Sequence, residues 1–282
     1  MSHSSMGDFL KCPRAYYLHN IYKDPKTKRK VNIVAPPLAL GQAVHQVLEN
    51  LALLPAEDRL KIPLTDTFET VWQNVSGKKG GFLSKDEEAE SKERGRQMLL
   101  RVMANPGPIV NKAVKMKQDL PNYFISEEDN IILCGKIDWL EYLPEQDAVH
   151  VIDFKTGRNE EKEDSLQLPI YHLLVKHCQR RKVAKASYWY LDKESGLVEK
   201  TLPNLEEAHE KVLKVAKEVK SAREANEFVC PHGGCFSCRP FEAIVSGHAE
   251  FVGTGEYNQD MYIVPKVDKR AFTEETEDDI IQ

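Results

Sequence analysis

No apolar run in the 282 residues approaches the ~20 that a bilayer-spanning helix requires. The opening Met1-Ser-His-Ser-Ser-Met6 lacks the basic-then-apolar order of a secretory signal, so a soluble, cytoplasmic protein with no membrane partner is expected. An excess of basic charge is missing too. With 39 Lys and Arg against 44 Asp and Glu the formal net charge is −5, which excludes the uniformly cationic surface of a small nucleic-acid binder. Cysteine is scarce, six residues in all, and without a secretory signal these are not expected to form disulfides. No internal repeat is visible, and no low-complexity tract apart from an acidic tail.

What is present suits one large domain or two small ones: 41% of residues are hydrophobic and 29% charged. The modest net charge hides an asymmetry. Between Lys11 and Lys30 seven bases face one acid, Asp24, giving 7 − 1 = +6, whereas Asp268 to Gln282 carries six acids and two bases. A basic entrance of this kind fits a phosphate-binding surface, the tail a solvated end. Three of the six cysteines, Cys230, Cys235 and Cys238, crowd into nine residues, the pattern of a metal or cluster site. Cys134 and Cys178 lie in apolar settings and read as buried small hydrophobes.

Apolar spacing predicts a short helix opened by a capping box at Ser5-Met-Gly-Asp8 and bearing Cys12-Pro-Arg14, then a basic, mobile linker through Asn32. An amphipathic helix over 38–54 follows, with Gly41 and His45 on one face and Glu49 a turn further on. Helices at 66–75 and 85–104 read as a helical insert. Stretches 123–126, 131–142 and 148–154 are rich in Ile, Val, Tyr and Trp, which predicts an antiparallel meander. A helix over 165–179, strands at 186–192 and 197–202, and a long helix from Leu205 complete a mixed sheet flanked by helices. The segment after Phe251 reads as a partner-docking tail or a last packed strand.

The sharpest constellation is Gly135-Lys-Ile-Asp138 followed by Asp153-Phe-Lys155-Thr-Gly157. Asp138 and Asp153 on neighbouring strands could place two carboxylates on one divalent cation, and Lys155, two residues past Asp153, points to the same face of its strand as Asp153. Hard oxygen ligands suit Mg²⁺ or Mn²⁺, which polarises a phosphoryl oxygen and acidifies a bound water. Lys155 would orient that water or offset charge in the transition state. His45 could add an imidazole to the same cation, with Gly41 allowing close helix approach. Gln167 and Tyr171, four apart, share a helix face and could hold phosphate or base edges.

In this order, Cys12-Pro-Arg14-Ala-Tyr-Tyr17, Gly41-Gln-Ala-Val-His45-Gln-Val-Leu-Glu49, Gly135-Lys-Ile-Asp138, Asp153-Phe-Lys155-Thr-Gly157 and Gln167-Leu-Pro-Ile-Tyr171 resemble the PD-(D/E)XK nuclease superfamily. The similarity is to its RecB-like branch, with the AddB nuclease domain and the CRISPR-associated RecB-like exonucleases. The resemblance implies an α/β, restriction-endonuclease-like mixed sheet with a helical insert (55–112) and a cysteine-stapled terminal region (228–241 with Cys12). The resemblance runs from Ser4 to about Phe241, and the nuclease domain it implies would cover residues 1–251, leaving 252–282 as an extension with the acidic tail. It also implies His45, Asp138 and Asp153 as metal ligands, the Phe154 carbonyl as a main-chain ligand, Lys155 as the catalytic lysine, Gln167 and Tyr171 as supports, and Glu49 behind the ligands. Relatives often hold a [4Fe-4S] cluster with one cysteine before the nuclease core and three after it; Cys12, Cys230, Cys235 and Cys238 match in number. Their spacing departs from the usual close pair followed by a distant last cysteine, which leaves Zn²⁺ or a degenerate site as alternatives.

Lys11, Arg14, Lys23, Lys26, Lys28, Arg29 and Lys30 could track a DNA backbone, with Tyr16, Tyr17 and Tyr22 interleaved as candidate stacking platforms, the core being the rival place for Tyr16 and Tyr17. No base-reading motif accompanies them. The expected function is a metal-dependent DNA exonuclease acting on single strands or free ends, in recombination, repair or CRISPR adaptation and with protein partners from those systems. The rivals are a silent DNA-binding scaffold and a regulatory iron–sulfur or zinc module.

Overall fold

The computed structural model describes residues 1–194 and 196–264. The acidic tail from Asp268 lies outside the described residues. Helix α1 (His3–Lys11) starts earlier than the expected capping box. The box is built from Ser2 and Ser5: the Ser2 N–H donates to Ser5 Oγ at 2.9 Å and the Ser5 N–H to Ser2 Oγ at 3.3 Å, a hydroxyl replacing the usual glutamate. Proline at its first position then opens α2 (Pro13–Tyr16). The expected mobile linker ends instead in strand β1 (Val31–Ile33), because a β-branched stretch finds a partner at the other end of the chain.

Helix α3 (Pro36–Asn50) buries Leu40, Val44, Val47 and Leu48 on one face, the stripe expected from their spacing. Helices α4 (Leu64–Trp72) and α5 (Lys85–Ala104) follow, the latter capped by Ser84 Oγ, which accepts from the Glu87 N–H. The strands are β2 (Asn122–Ser126), β3 (Ile131–Cys134), β4 (Trp139–Leu143) and β5 (Ala148–Lys155). Then come α6 (Gln167–Cys178), β6 (Lys182–Tyr190), β7 (Gly196–Lys200) and α7 (Leu205–Ala225). Helix α8 (Arg239–Val245) and strands β8 (Glu250–Thr254) and β9 (Asp260–Ile263) close the described chain.

The chain divides into two compact units, residues 1–7 with 35–225 and residues 8–34 with 226 onward. In the first, four strands run in the order β4-β5-β6-β7, with β5 parallel to β6 and the other pairs antiparallel. Strand β5 is central and buried along almost its whole length, as a strand covered on both faces must be. The stretch 131–142 is not one strand, which corrects the meander. It breaks at Gly135–Asp138, and β3 pairs only with β2 in a separate hairpin. Gly135 fits at the break because a Cβ there would come 3.0 Å from Leu174 Cδ1, and the turn frees Asp138 from any ladder.

The 55–112 stretch shares one core with the sheet. Phe68, Trp72, Met98, Leu99 and Ile109 pack in the same cluster as Trp139, Ile152 and Phe154. Gly95 of α5 is required by that packing, since an added Cβ would sit 2.6 Å from the Phe68 ring. Arg59 ties the loops together: its guanidinium donates to the carbonyls of Leu51, Leu54, Ile109 and Asn111 and lies 4.9 Å above the Trp139 ring. Cys134 and Cys178 are half-buried rather than buried, and the Cys178 thiol donates to the Asn122 carbonyl at 3.5 Å.

The second unit holds a three-stranded sheet, order β1-β9-β8, with β1 parallel to β9. Among the described residues β8 and β9 form a hairpin, and position 251 itself pairs with Tyr262, so the expected boundary at 251 falls inside a strand. Asp260, fully buried, is held by Arg29 at 3.4 Å and by the Thr27 hydroxyl. Tyr16 is buried and Tyr17 half-buried, both against Phe228. Among the described residues no helix is long and apolar enough to cross a membrane.

Candidate active site

The end of β5 carries the chemistry. Alternation along the strand puts Asp153 and Lys155 on one face, and the parallel register with β6 sets Tyr188 beside Asp153. The Lys155 ammonium lies 4.8 Å over the Tyr188 ring, 3.0 Å from Asp153 Oδ2 and 3.0 Å from Glu161 Oε2, and also donates to Gln167 Oε1. Burial works against its charge, but Asp153 and Glu161 raise its pKa, so it remains a cation. Glu161 enters from the loop after β5, where its N–H donates to the Tyr190 hydroxyl at 3.1 Å. Burial would raise its own pKa, yet Ser165 and Lys155 hold it below the ordinary value.

Gln167 orders the centre. Its Nε2 donates to Asp153 Oδ1 at 2.7 Å and to the Tyr171 hydroxyl at 3.3 Å, so the shared helix face read from the sequence is a working contact. Asp153 is 2% exposed, and burial, reinforced by the charge of Asp138, pushes its pKa up to about 7. Burial, then Asp153 and Asp138, raises Tyr171 well above the usual phenol value and keeps its hydroxyl protonated.

A second group adjoins the first through Asp138. His45 Nδ1 lies 3.4 Å from Asp138 Oδ2 and 3.8 Å from Glu49 Oε1, the latter one turn along α3. One donor atom from each of His45, Glu49 and Asp138 lies within 4.8 Å of the other two. Burial alone would lower the His45 pKa, but its bonds to Asp138 and Glu49 and the charge of Asp153 push it up to about 10. Gly41 supplies the close approach expected of it, since a Cβ there would meet Thr156 Oγ1 at 3.2 Å. Asp138 Oδ2 accepts the Phe154 N–H at 2.8 Å, which locks the turn after Gly135 onto β5. Phe154 thus meets the site through its N–H, and its ring is buried in the core.

The donors fit a divalent cation on two grounds. An imidazole with two carboxylates, 9–26% exposed, is a hard, accessible set. Beside it Asp153 Oδ2 is buried and meets the Lys155 ammonium at 3.0 Å without a hydrogen bond of acceptable geometry, which leaves it capacity for a bound cation. Glu49 stands among these donors rather than behind them, while Asp153 faces Lys155 and Gln167.

The expected DNA-binding residues all lie in the second unit and differ in state. Lys11, Lys28 and Lys30 are exposed. Arg14 pairs with Glu242 at 3.4 Å, and Arg29 is engaged with Asp260 and, at 3.1 Å, with Thr254, which gives Arg29 a structural duty. Sequence reasoning missed Glu161, which no motif marks, and Tyr188, which needs the β5–β6 register. It also missed Arg94 of α5, whose guanidinium holds the Thr156 carbonyl at 2.7 Å and Asp192 at 2.9 Å.

In the second unit one sulfur from each of Cys12, Cys230, Cys235 and Cys238 lies within 4.8 Å of the others, a four-thiolate group compatible with a metal. Burial raises Cys12 and Cys238, whereas at Cys235 the N–H groups of Cys238 and Ser237 outweigh burial and bring the thiol down to about 7.

A half-buried lysine between carboxylates, beside a His–carboxylate donor group at the end of a central strand, is an arrangement compatible with divalent-metal chemistry. The family model described as the PD-(D/E)XK nuclease superfamily matches residues 1–241, and the chain belongs to that superfamily. Its architecture is the mixed α/β, restriction-endonuclease-like one. No characterised protein matches the chain by sequence.

Proposed function

We propose that this protein is a divalent-metal-dependent DNA exonuclease. The observation that supports it best is the junction of the His45–Glu49–Asp138 donors with the Asp153–Lys155–Gln167 group through the neighbouring charges of Asp138 and Asp153. When bound, Mg²⁺ or Mn²⁺ supplies Lewis-acid polarisation of a phosphoryl oxygen and a more acidic water. His45, Asp138, Glu49 and Asp153 hold that ion, with the Phe154 carbonyl as a further donor. Lys155, remaining a cation, orients the nucleophile and offers a hydrogen bond from Nζ to the anionic phosphate. Gln167 and Tyr171 fix the Asp153 carboxylate so that it does not rotate between roles. Exposed Lys11, Lys28 and Lys30 bind the strand electrostatically. Action on single strands or free ends, and a place in recombination, repair or CRISPR adaptation alongside protein partners, rest on the RecB-like resemblance.

The test is digestion of end-labelled single-stranded, double-stranded and circular DNA with Mn²⁺ or Mg²⁺, against chelator and Lys155→Ala controls. Metal-dependent loss of linear DNA, abolished by Lys155→Ala and sparing circles, is expected. Binding of DNA without cleavage under either metal would replace this reading with the scaffold one.

A further inference from the structure

We infer that Cys12, Cys230, Cys235 and Cys238 hold a single zinc ion in a closed tetrahedral cage, in place of the [4Fe-4S] cluster that the family resemblance implies. The separations of the sulfurs carry the argument. Zn–S bonds of ~2.3 Å at tetrahedral angles put sulfurs about 3.8 Å apart. The Cys235 and Cys238 sulfurs are 3.8 Å apart, and all four fall within 4.8 Å of one another. A cubane cluster inserts four irons between the thiolates, one iron per cysteine, which spreads the sulfurs to roughly 6 Å. Four sulfurs gathered this tightly surround one ion and leave no room for a cube.

The chain around the sulfurs is built for the same ion. Cys235-Phe-Ser-Cys238 is a two-residue knuckle whose backbone turns back on itself: the Cys238 N–H donates to the Cys235 carbonyl at 3.2 Å and the Cys235 N–H points to Cys238 Sγ at 3.2 Å. Backbone N–H groups of Arg14 and Ala15 serve the Cys12 sulfur, and those of Ser237 and Cys238 serve Cys235. Such bonds spread the double negative charge left when four thiolates bind a divalent ion. Cys12 and Cys238 are fully buried and pack with Ala15, so the cage is shielded on that side and four protein ligands leave no open coordination position. Tetrahedral sulfur sites take zinc or iron, and at equal geometry Zn²⁺ binds above Fe²⁺.

A closed zinc site has no redox chemistry. Its work is mechanical, joining residue 12 to residues 230–238 across 218 positions of chain, with metal-binding free energy serving as folding free energy of the second unit. The inference stands independently of the nuclease reading.

The full chain, produced in medium replete in both zinc and iron, purified without oxygen and dialysed against EDTA to clear the carboxylate site, is submitted to elemental and acid-labile sulfide analysis. X-ray absorption at the metal edge accompanies it. Expected are one zinc per chain, no iron or sulfide, and a single shell of four sulfurs at about 2.3 Å. Cys12→Ser and Cys238→Ser should each remove most of the zinc. Because these variants can unfold, the wild type is also exchanged with Co²⁺, which should give the intense charge-transfer bands of a tetrahedral four-thiolate site. Iron and sulfide at four per chain, a shell containing nitrogen or oxygen, mononuclear iron, or a chain that neither contains nor takes up zinc would each overturn the assignment.

Discussion

Replacing Asp153 with asparagine should stabilise the metal-free protein at alkaline pH while weakening its response to metal. Asp153 titrates near 7 in the fold against an ordinary value of 3.8, because it is buried beside Asp138. Its folded pKa is raised, so the stability linked to its neutral form is complete below about pH 4 and is lost progressively as pH rises toward 7. Three units at ~1.4 kcal/mol each amount to about 4 kcal/mol by pH 8. An asparagine at this position carries no such slope, and it keeps a shape that Gln167 can still bond. The expected result in EDTA is therefore near-equal stability of the two proteins at pH 4.5 and a higher Tm for Asp153→Asn at pH 8. The difference should be on the order of 10 °C for a chain of this size. Adding Mn²⁺ should raise the wild-type Tm more than that of the variant, which keeps His45, Glu49 and Asp138 but has lost one carboxylate. Urea or thermal melts across the pH series make the measurement. A wild type more stable than the variant at pH 8 in chelator, or a difference flat across the series, would refute the claim that this carboxylate is strained without a cation.

Three further outcomes follow from particular contacts. Gly41→Ala should be nearly neutral, a helix-propensity gain of about 1 kcal/mol offsetting the 3.2 Å contact with Thr156 Oγ1; Gly41→Val should lower kcat by about tenfold or more, with Tm little changed, by displacing His45 and Glu49 from Asp138. Arg94→Ala should cost about 1–3 kcal/mol in denaturant melts and lower kcat, because Thr156, next to Lys155, loses its 2.7 Å tether; Arg94→Lys should recover only part, since one ammonium does not bridge Thr156 and Asp192. Glu141, buried and bonded to His150 at 2.8 Å and Asn111 at 2.6 Å, has a pKa that burial would raise but these partners lower. It therefore contributes stability above about pH 4.5 that is lost as pH falls, and acid melts of Glu141→Gln should show a shallower loss than wild type.

The sequence disclosed those parts of the site that repeat with the period of an element. Asp153 and Lys155 are two apart on a strand, Gly41, His45 and Glu49 are four apart on a helix, and Gln167 and Tyr171 likewise, so each set shares a face whatever the tertiary structure. Groups brought in by pairing or by loops were invisible. Tyr188 reaches Lys155 because β6 runs parallel to β5 in one register, and Glu161 arrives on a loop with no periodicity at all. The break at Gly135 was obscured because the residues on either side of it are equally strand-like, and only the demand of Asp138 for the Phe154 N–H reveals it. Arg29 looked like a free cation because its partner, Asp260, is 231 positions away.

The parallel pairing of β1 with β9 bears on the order in which the molecule can be completed during synthesis. Residues 35–225 can close their sheet and core while the rest of the chain is still being made. Residues 8–34 emerge before residues 35–225 but must wait, with Val31–Ile33 an open edge and Cys12 without its fellow thiols, until Asp260–Ile263 leaves the ribosome. A nascent chain stalled or truncated between residues 225 and 260 would therefore carry a finished first unit together with a sticky, unfinished head. Quality control that removes such chains would act on residues 8–34, although the defect lies about 230 positions further along.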